Sequence, residues 1–190
     1  MGIRSLRTAS ISTGVKRSKV WDQSAVYAPS SYESIATVTV GSGGSTQIDF
    51  TSIPSTFKHL QLRAAAKGST NLYAPIRFNG DTNTANYRSH QLYGNGVSAT
   101  SSDEGNNFYI NNVLGTNYNG VIMDILDYQS ANKYKTVRML QGVDNNGSGS
   151  ILFVSGLWMN SPDAISSIRF TVNTGNFAEF SSFALYGIKG

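Results

Sequence analysis

The chain has 190 residues, a formal net charge of +4, no cysteine, and a charged fraction of only 14%, against about a quarter in an average soluble protein. The length suits one domain, and the lack of cysteine excludes disulfides and cysteine-based zinc sites. No stretch approaches the ~20 consecutive apolar residues of a membrane span, so we expect no membrane partner.

The positive charge is concentrated at the start of the chain. Five of the fifteen basic residues, and none of the eleven acidic ones, lie in 1–20. Residues 1–33 show no sustained hydrophobic period, and Pro29 with the neighbouring serines is typical of a linker. We therefore predict an extended basic N-terminal arm and linker over 1–33, followed by a nearly neutral domain over 34–190.

From residue 34 onward the pattern changes to strands. Short segments with period-two alternation are separated by Gly, Asn and Pro turns, and two Asn-Gly dipeptides favour tight hairpins. The segment 119–129 could be misread as a helix, but its alternation favours a strand. We predict roughly ten strands, in the segments 34–40, 46–50, 52–67, 74–81, 86–96, 106–114, 119–129, 133–143, 151–160, 164–173 and 179–189. Turn signals every ten or so residues indicate an all-β protein, an antiparallel β-sandwich of jelly-roll type.

Six short sequence segments of the chain are informative when they are taken together and in order. They are "SIPSTFKHLQL" (52–62), "IRFNGD" (76–81), "YRSHQLYG" (87–94), "ILDYQSANKYKTVR" (125–138), "SGLWMN" (155–160) and "FALYGIKG" (183–190). In this order the chain resembles structural proteins of tailed-bacteriophage virions, of the tail-fibre or minor structural type, over about residues 32–190. The resemblance implies a virion component with a β-sandwich body, and it implies no catalytic residue.

A segment that cannot bury its own core can fold against a neighbouring subunit. We therefore expect the arm to bind another virion protein, either a capsid or a tail subunit, through cationic and aromatic side chains. The expected contact residues are Arg4, Arg7, Lys16, Arg17, Lys19, Trp21 and Tyr27. A disordered solubilising tail, a targeting segment and a nucleic-acid contact remain as alternatives, and nucleic acid is the less favoured partner because the body is not basic.

We find no pattern typical of catalysis, and we predict no enzyme activity, no cofactor and no metal site. Both histidines, His59 and His90, have structural roles as the default expectation. The adjacent Asp103 and Glu104 fall in a loop rich in Ser, Gly and Asn. Glycosidase chemistry needs two carboxyl groups held on either side of a sugar, and nothing in the sequence brings such a pair together. "DNNG" (144–147) lacks the remaining ligands of a calcium loop and indicates a hairpin turn.

Three loops mix amide and aromatic side chains, which can bind sugars by hydrogen bonding and stacking. They are 68–75, 79–88 and 115–120. If a host glycan binds, the first candidates are Tyr73, Tyr87, Tyr93 and Tyr118. Turn chemistry alone also favours these residue types, so ordinary surface loops are the simpler interpretation.

The sequence therefore predicts a non-enzymatic virion structural protein that is accessory to particle assembly, as a capsid decoration or cement protein or as a head or tail appendage. The alternative is a receptor-binding tail-fibre module that recognises host surface glycans. The neutral body suits a homo-oligomer, with a trimer favoured over a dimer. Late-strand aromatic residues such as Phe153 and Trp158 are expected in the core or between subunits.

Overall fold

Buried and exposed residues alternate along most strands of the computed structural model, which describes residues 31–160 and 163–190. Within these residues there are twelve strands and one 3-10 helix, Thr84–Asn86. The strands are β1 (Tyr32–Thr39), β2 (Gln47–Phe50), β3 (His59–Ala66), β4 (Leu72–Phe78), β5 (Tyr87–Gly94), β6 (Ala99–Gly105), β7 (Tyr109–Val113), β8 (Asn119–Leu126), β9 (Lys135–Asp144), β10 (Gly149–Trp158), β11 (Ile168–Thr171) and β12 (Ser182–Ile188).

These strands form two antiparallel sheets. The large sheet has eight strands in the order β1-β12-β3-β8-β9-β10-β5-β6, and the small sheet has four in the order β2-β11-β4-β7. The predicted all-β antiparallel sandwich is confirmed. Along the chain the strands alternate between the two sheets, except that β5–β6 and β8–β9–β10 are consecutive in the large sheet. The hairpins β5–β6 and β9–β10 both extend the large sheet beyond β8. The jelly-roll assignment stays a prediction, which this alternation supports.

The core between the sheets is built from the inward residues of both. Phe78, Phe108 and Trp158 are fully buried, with ring centroids 5.9 Å apart for Phe78–Phe108 and 5.5 Å apart for Phe78–Trp158. A second cluster joins Phe177 to Phe183, with centroids 5.0 Å apart. Tilted and edge-to-face contacts of this kind add to the stabilisation from burial alone.

Close packing of aromatic rings accounts for one glycine in β10. A Cβ atom at Gly156 would lie 2.6 Å from the Phe108 ring, so only glycine lets that ring pack against the strand. Gly187 on β12 makes room for the Phe57 ring in the same way, since a Cβ there would lie 2.2 Å from it.

Three expectations for strands need correction. Asp103 and Glu104 are expected in a loop, yet they lie in the edge strand β6, because backbone pairing with β5 holds a sequence that has no apolar period. The segment 52–67 is predicted as a strand, but β3 begins only at His59, and Phe57 ahead of it is buried. The strand expected from residue 34 begins two residues earlier, at Tyr32, which pairs with Ile188.

We predict that replacing Trp158 with alanine lowers the free energy of unfolding by ~3–5 kcal/mol, because it empties a fully buried aromatic site. Phe153 lies on the opposite face of the same strand and is 52% exposed, so Phe153→Ala should lower the stability of the isolated subunit by less than about 1 kcal/mol. Urea denaturation of both variants measures the difference. Equal costs would contradict the assignment of faces.

Candidate functional site

An exposed row of apolar side chains crosses the outer face of the large sheet. Leu92, Ile122, Leu140 and Phe153 are 51%, 42%, 37% and 52% exposed, respectively. The strand register makes them direct neighbours, since Ile122 pairs with Leu140, Leu140 with Phe153, and Phe153 with Leu92. We call these four residues the apolar stripe. It runs without interruption over β8, β9, β10 and β5.

Small residues form a trough along one side of the stripe. Two positions further along the same strands, the outward residues are Gly120, Gly142, Ile151 and Gly94, and they too are cross-strand neighbours. Three of these four residues are glycine. A depression of about 430 Å³, lined in part by Gly120, Gly142 and Ile151, lies here. We call these four positions the glycine trough.

A polar row borders the other side of the stripe. Its outward residues are Asp124, Arg138, Ser155 and His90, again paired strand to strand. Gln61 Nε2 donates to Asp124 Oδ1 at 2.7 Å, and Arg138 Nη1 donates to Ser155 Oγ at 2.8 Å. Between this row and the stripe lies a second depression, of about 530 Å³. The outer face therefore has an apolar centre with a polar border on one side.

The outer face of the small sheet differs in chemistry. Arg169 Nε pairs with Asp49 Oδ1 at 2.7 Å, and Arg77 Nη2 donates to Asn107 Oδ1 at 2.6 Å. Tyr73 is the large exposed aromatic residue there, and its ring meets that of Tyr109 edge-on at 5.1 Å. Because contiguous exposed apolar surface marks interaction sites, the large-sheet face is the better candidate for contact with another molecule.

The four tyrosines considered for glycan binding are not equivalent. Tyr73 and Tyr118 are 44% and 43% exposed, and Tyr93 is partly buried on β5. Tyr87 is fully buried, and its hydroxyl accepts from the Phe78 amide and donates to the Asp81 carbonyl. Burial also raises the pKa of Tyr87 to about 12. The assignment of Tyr87 to a glycan site is therefore wrong, since its ring is not accessible to a sugar.

The three loops rich in amide and aromatic residues do not come together at one place. Residues 68–71 and 115–118 meet, as Gly115 N donates to Asn71 Oδ1 at 3.1 Å. The loop 79–86 lies at the opposite end of β4, because 68–71 precede this seven-residue strand and 79–86 follow it. A seven-residue strand separates its two ends by about 20 Å, so the three loops cannot bind one sugar together.

Asp81 explains why the loop 79–86 has its polar composition. Its carboxylate accepts from Trp158 Nε1 at 2.9 Å, from Asn86 Nδ2 at 2.8 Å and from the Asn83 amide at 2.9 Å. Burial raises the pKa of the Asp81 carboxyl, but these hydrogen bonds outweigh burial and hold the pKa below its usual range. The polar residues of this loop thus serve the loop's own structure.

The remaining titratable groups singled out by the sequence have local partners or lie on surfaces. His59 Nδ1 accepts from the Asp127 amide at 2.9 Å, and His90 is exposed on β5 opposite Asp103 of β6. Asn145–Ser148 form the turn of the β9–β10 hairpin, with Asn145 N donating to Ser148 O at 2.7 Å. Residues 31–160 and 163–190 contain no group of three or more His, Asp or Glu side chains placed to hold a metal ion.

One lysine of the described ranges is fully buried without a carboxylate partner at bonding distance. Lys135 Nζ donates to the carbonyl oxygens of Ser130, at 2.5 Å, and Lys133, at 3.2 Å. Burial lowers the pKa of Lys135, and the more distant negative charge of Asp163 opposes that effect. The ammonium group closes the loop after β8 by satisfying its carbonyl groups, which is a structural role.

The residues expected to form the arm contact lie outside the described residues. These are Arg4, Arg7, Lys16, Arg17, Lys19, Trp21 and Tyr27. The apolar stripe was missed by the sequence analysis, apart from Phe153, which was expected in the core or between subunits. Which face each late-strand aromatic would occupy depends on the strand register.

No protein-family model matches this chain, and no curated protein or solved structure matches it. The described part of the chain also contains no helix with the length and hydropathy needed to cross a membrane.

We predict that Asp81 makes stability fall at acidic pH. Because its pKa is lower in the folded state than the ~3.9 of an unfolded chain, its contribution is complete above about pH 4 and is lost as the pH falls through the folded value. Asp81→Asn should cost about 1–3 kcal/mol at neutral pH, as expected for hydrogen bonds to a charged group, and should flatten this dependence. Urea titrations at several pH values measure both effects, with Glu179→Gln, a change at an exposed carboxylate before β12, as the control. An unchanged acid profile in Asp81→Asn would contradict the prediction.

Proposed function

We propose that this protein is a non-enzymatic structural component of a phage virion, accessory to particle assembly. The observation that carries the proposal is the apolar stripe, four exposed side chains in register on one face of the sandwich. A monomer gains nothing from exposing them, whereas an assembling subunit gains stability by covering them. The resemblance of the ordered body motifs to phage structural proteins supports the same role.

The body and the arm have separate tasks in this proposal. The sandwich body contributes protein surface to the particle, on its exterior, as a capsid decoration or cement protein or as a head or tail appendage. The basic N-terminal segment that precedes β1 anchors the body to a neighbouring virion protein. Each contact of ~1,000 Å² or more is enough for a specific interface, and repeated over many subunits such contacts hold a shell together.

Assembly is favoured over glycan recognition on physical grounds. Glycan sites need several aromatic and amide groups converging on one ligand. Here Tyr87 is buried, and the three polar loops occupy opposite ends of β4. Many of their amide groups are bonded within the protein, as in the Asn79 side chain, which accepts from the Ser166 and Ser167 amides.

We predict that deleting residues 1–26 leaves a folded body that no longer joins particles, because the anchoring contacts are removed while the strands from Tyr32 onward are kept. Circular dichroism and thermal melting check the fold, and quantification of the protein in purified particles checks incorporation. A variant with Arg4, Arg7, Lys16, Arg17 and Lys19 changed to Gln keeps the chain length and separates charge from bulk. Normal incorporation of the truncated chain would contradict anchoring by the arm.

We further predict a high copy number per particle. A cement protein covers a repeating shell and therefore occurs in hundreds of copies, whereas a fibre tip occurs in a few dozen or fewer. Quantitative mass spectrometry of intact virions measures this ratio against the major capsid protein. A count of a few dozen, together with binding of host polysaccharide, would favour the receptor-binding alternative.

A further inference from the structure

We propose that the outer face of the large sheet binds the same face of a second copy of this chain, across a two-fold axis that runs parallel to the apolar stripe. The axis lies between the stripe and the glycine trough. The proposal does not rest on the virion role, because it concerns only the surface chemistry of the chain itself.

The shape of the face is self-complementary about this axis. A two-fold axis that lies in the interface and parallel to the rows sets each strand opposite its own copy, running in the reverse direction. The stripe of one copy then lies over the trough of the other. Strand by strand, Ile122 faces Gly120, Leu140 faces Gly142, Leu92 faces Gly94, and Phe153 faces Ile151. Large side chains thus meet glycine on three of the four strands.

The charges of β9 are complementary under the same operation. The axis passes between Leu140 and Gly142, so it sets Arg138 of one copy opposite Asp144 of the other. Both residues are exposed on the outer face, and neither forms a salt bridge within residues 31–160 and 163–190. Because the axis is two-fold, the interface would contain this ion pair twice, once on each side of the apolar centre.

The monomer offers no steric reason for glycine at position 120. A Cβ atom there would meet nothing nearer than the Gly142 carbonyl oxygen at 3.9 Å, and the residue is not among those with positive φ. At Gly94 the nearest atom would be Ile151 Cγ2, at an ordinary contact distance of 3.6 Å. Glycine within a strand normally weakens it. The facing stripe of a second copy supplies the reason that the isolated chain lacks.

The area that overlaps about this axis is close to the lower limit for a specific interface. Roughly 36 strand residues of one copy lie opposite strand residues of the other, which at ~4.8 Å between strands and ~3.3 Å per residue makes roughly 570 Å² on each copy. Specific protein interfaces bury about 600–1,000 Å² on each partner.

The charge balance of the face favours a second copy over the basic arm. Its outward residues include three acidic side chains, Asp103, Asp124 and Asp144, and three basic ones, Arg63, Arg88 and Arg138. A strongly cationic segment would be attracted by an acidic surface, which this is not. A balanced face with both signs suits pairing with itself. A dimer was the second of the two oligomers expected from the sequence.

Sedimentation equilibrium of the full chain tests the pairing. We expect a dimer at micromolar concentrations, and we expect Phe153→Asp and Gly120→Val to raise its dissociation constant at least tenfold, the first by introducing a charge and the second by filling the trough. Gly120→Val should leave the melting temperature of the monomer unchanged or higher, since a Cβ atom there meets nothing nearer than 3.9 Å and valine favours a strand. The matched control is Tyr73→Asp, an equivalent change at an exposed aromatic residue of the small sheet, which should leave the dimer intact.

Charge reversal tests the axis itself. Arg138→Asp alone and Asp144→Arg alone should each weaken the dimer, whereas the double variant should restore it, because both ion pairs form again with opposite polarity.

A full chain that is monomeric throughout would overturn the proposal, as would a dimer that tolerates Phe153→Asp and Gly120→Val. A dimer lost only on deletion of residues 1–26 would assign pairing to the arm instead. A double variant no better than the singles would refute this two-fold arrangement. These results are independent of particle incorporation, so the virion role stands or falls separately.

Discussion

The register of β8, β9, β10 and β5 is the constraint on which the rest of the molecule depends. In the row that faces the core, Met123 pairs with Met139 and Met139 with Val154. Since side chains alternate between faces, this inner row fixes the adjacent outer row of Ile122, Leu140, Phe153 and Leu92. A slip of one residue in any strand would exchange its two faces and expose the core. The energy of the core therefore holds the exposed stripe in place.

Two hairpins determine where this stripe lies. The strands β5–β6 and β9–β10 extend the large sheet beyond β8, and three of the four stripe residues belong to them. Their inner side is anchored by the Trp158 ring against Phe78 and by the Trp158 indole hydrogen bond to Asp81. The loop after β4 is thus tied to the last residue of β10. The inner side of this extension stabilises the fold, and its outer side carries the apolar stripe.

These features fit the proposed role in assembly. The polar loops use their amide and carboxylate groups for internal hydrogen bonds, and the buried Lys135 ammonium closes a loop. What faces outward in an ordered way is apolar surface bordered by charges of both signs. Such a surface suits association between subunits, and the proposals of a virion role and of a two-fold pairing describe two levels of that association.

The sequence by itself determined the fold class, most of the strands and the turns between them, because period-two alternation and Asn-Gly dipeptides are local signals. It failed at β6, whose residues 99–105 have no apolar period and are held by pairing with β5. It also could not separate Phe153 from Trp158, or Tyr87 from Tyr73. Only the tertiary structure decided these, since whether an aromatic side chain is core or surface depends on which face of a strand the second sheet covers, and that is set by contacts between residues far apart in the chain.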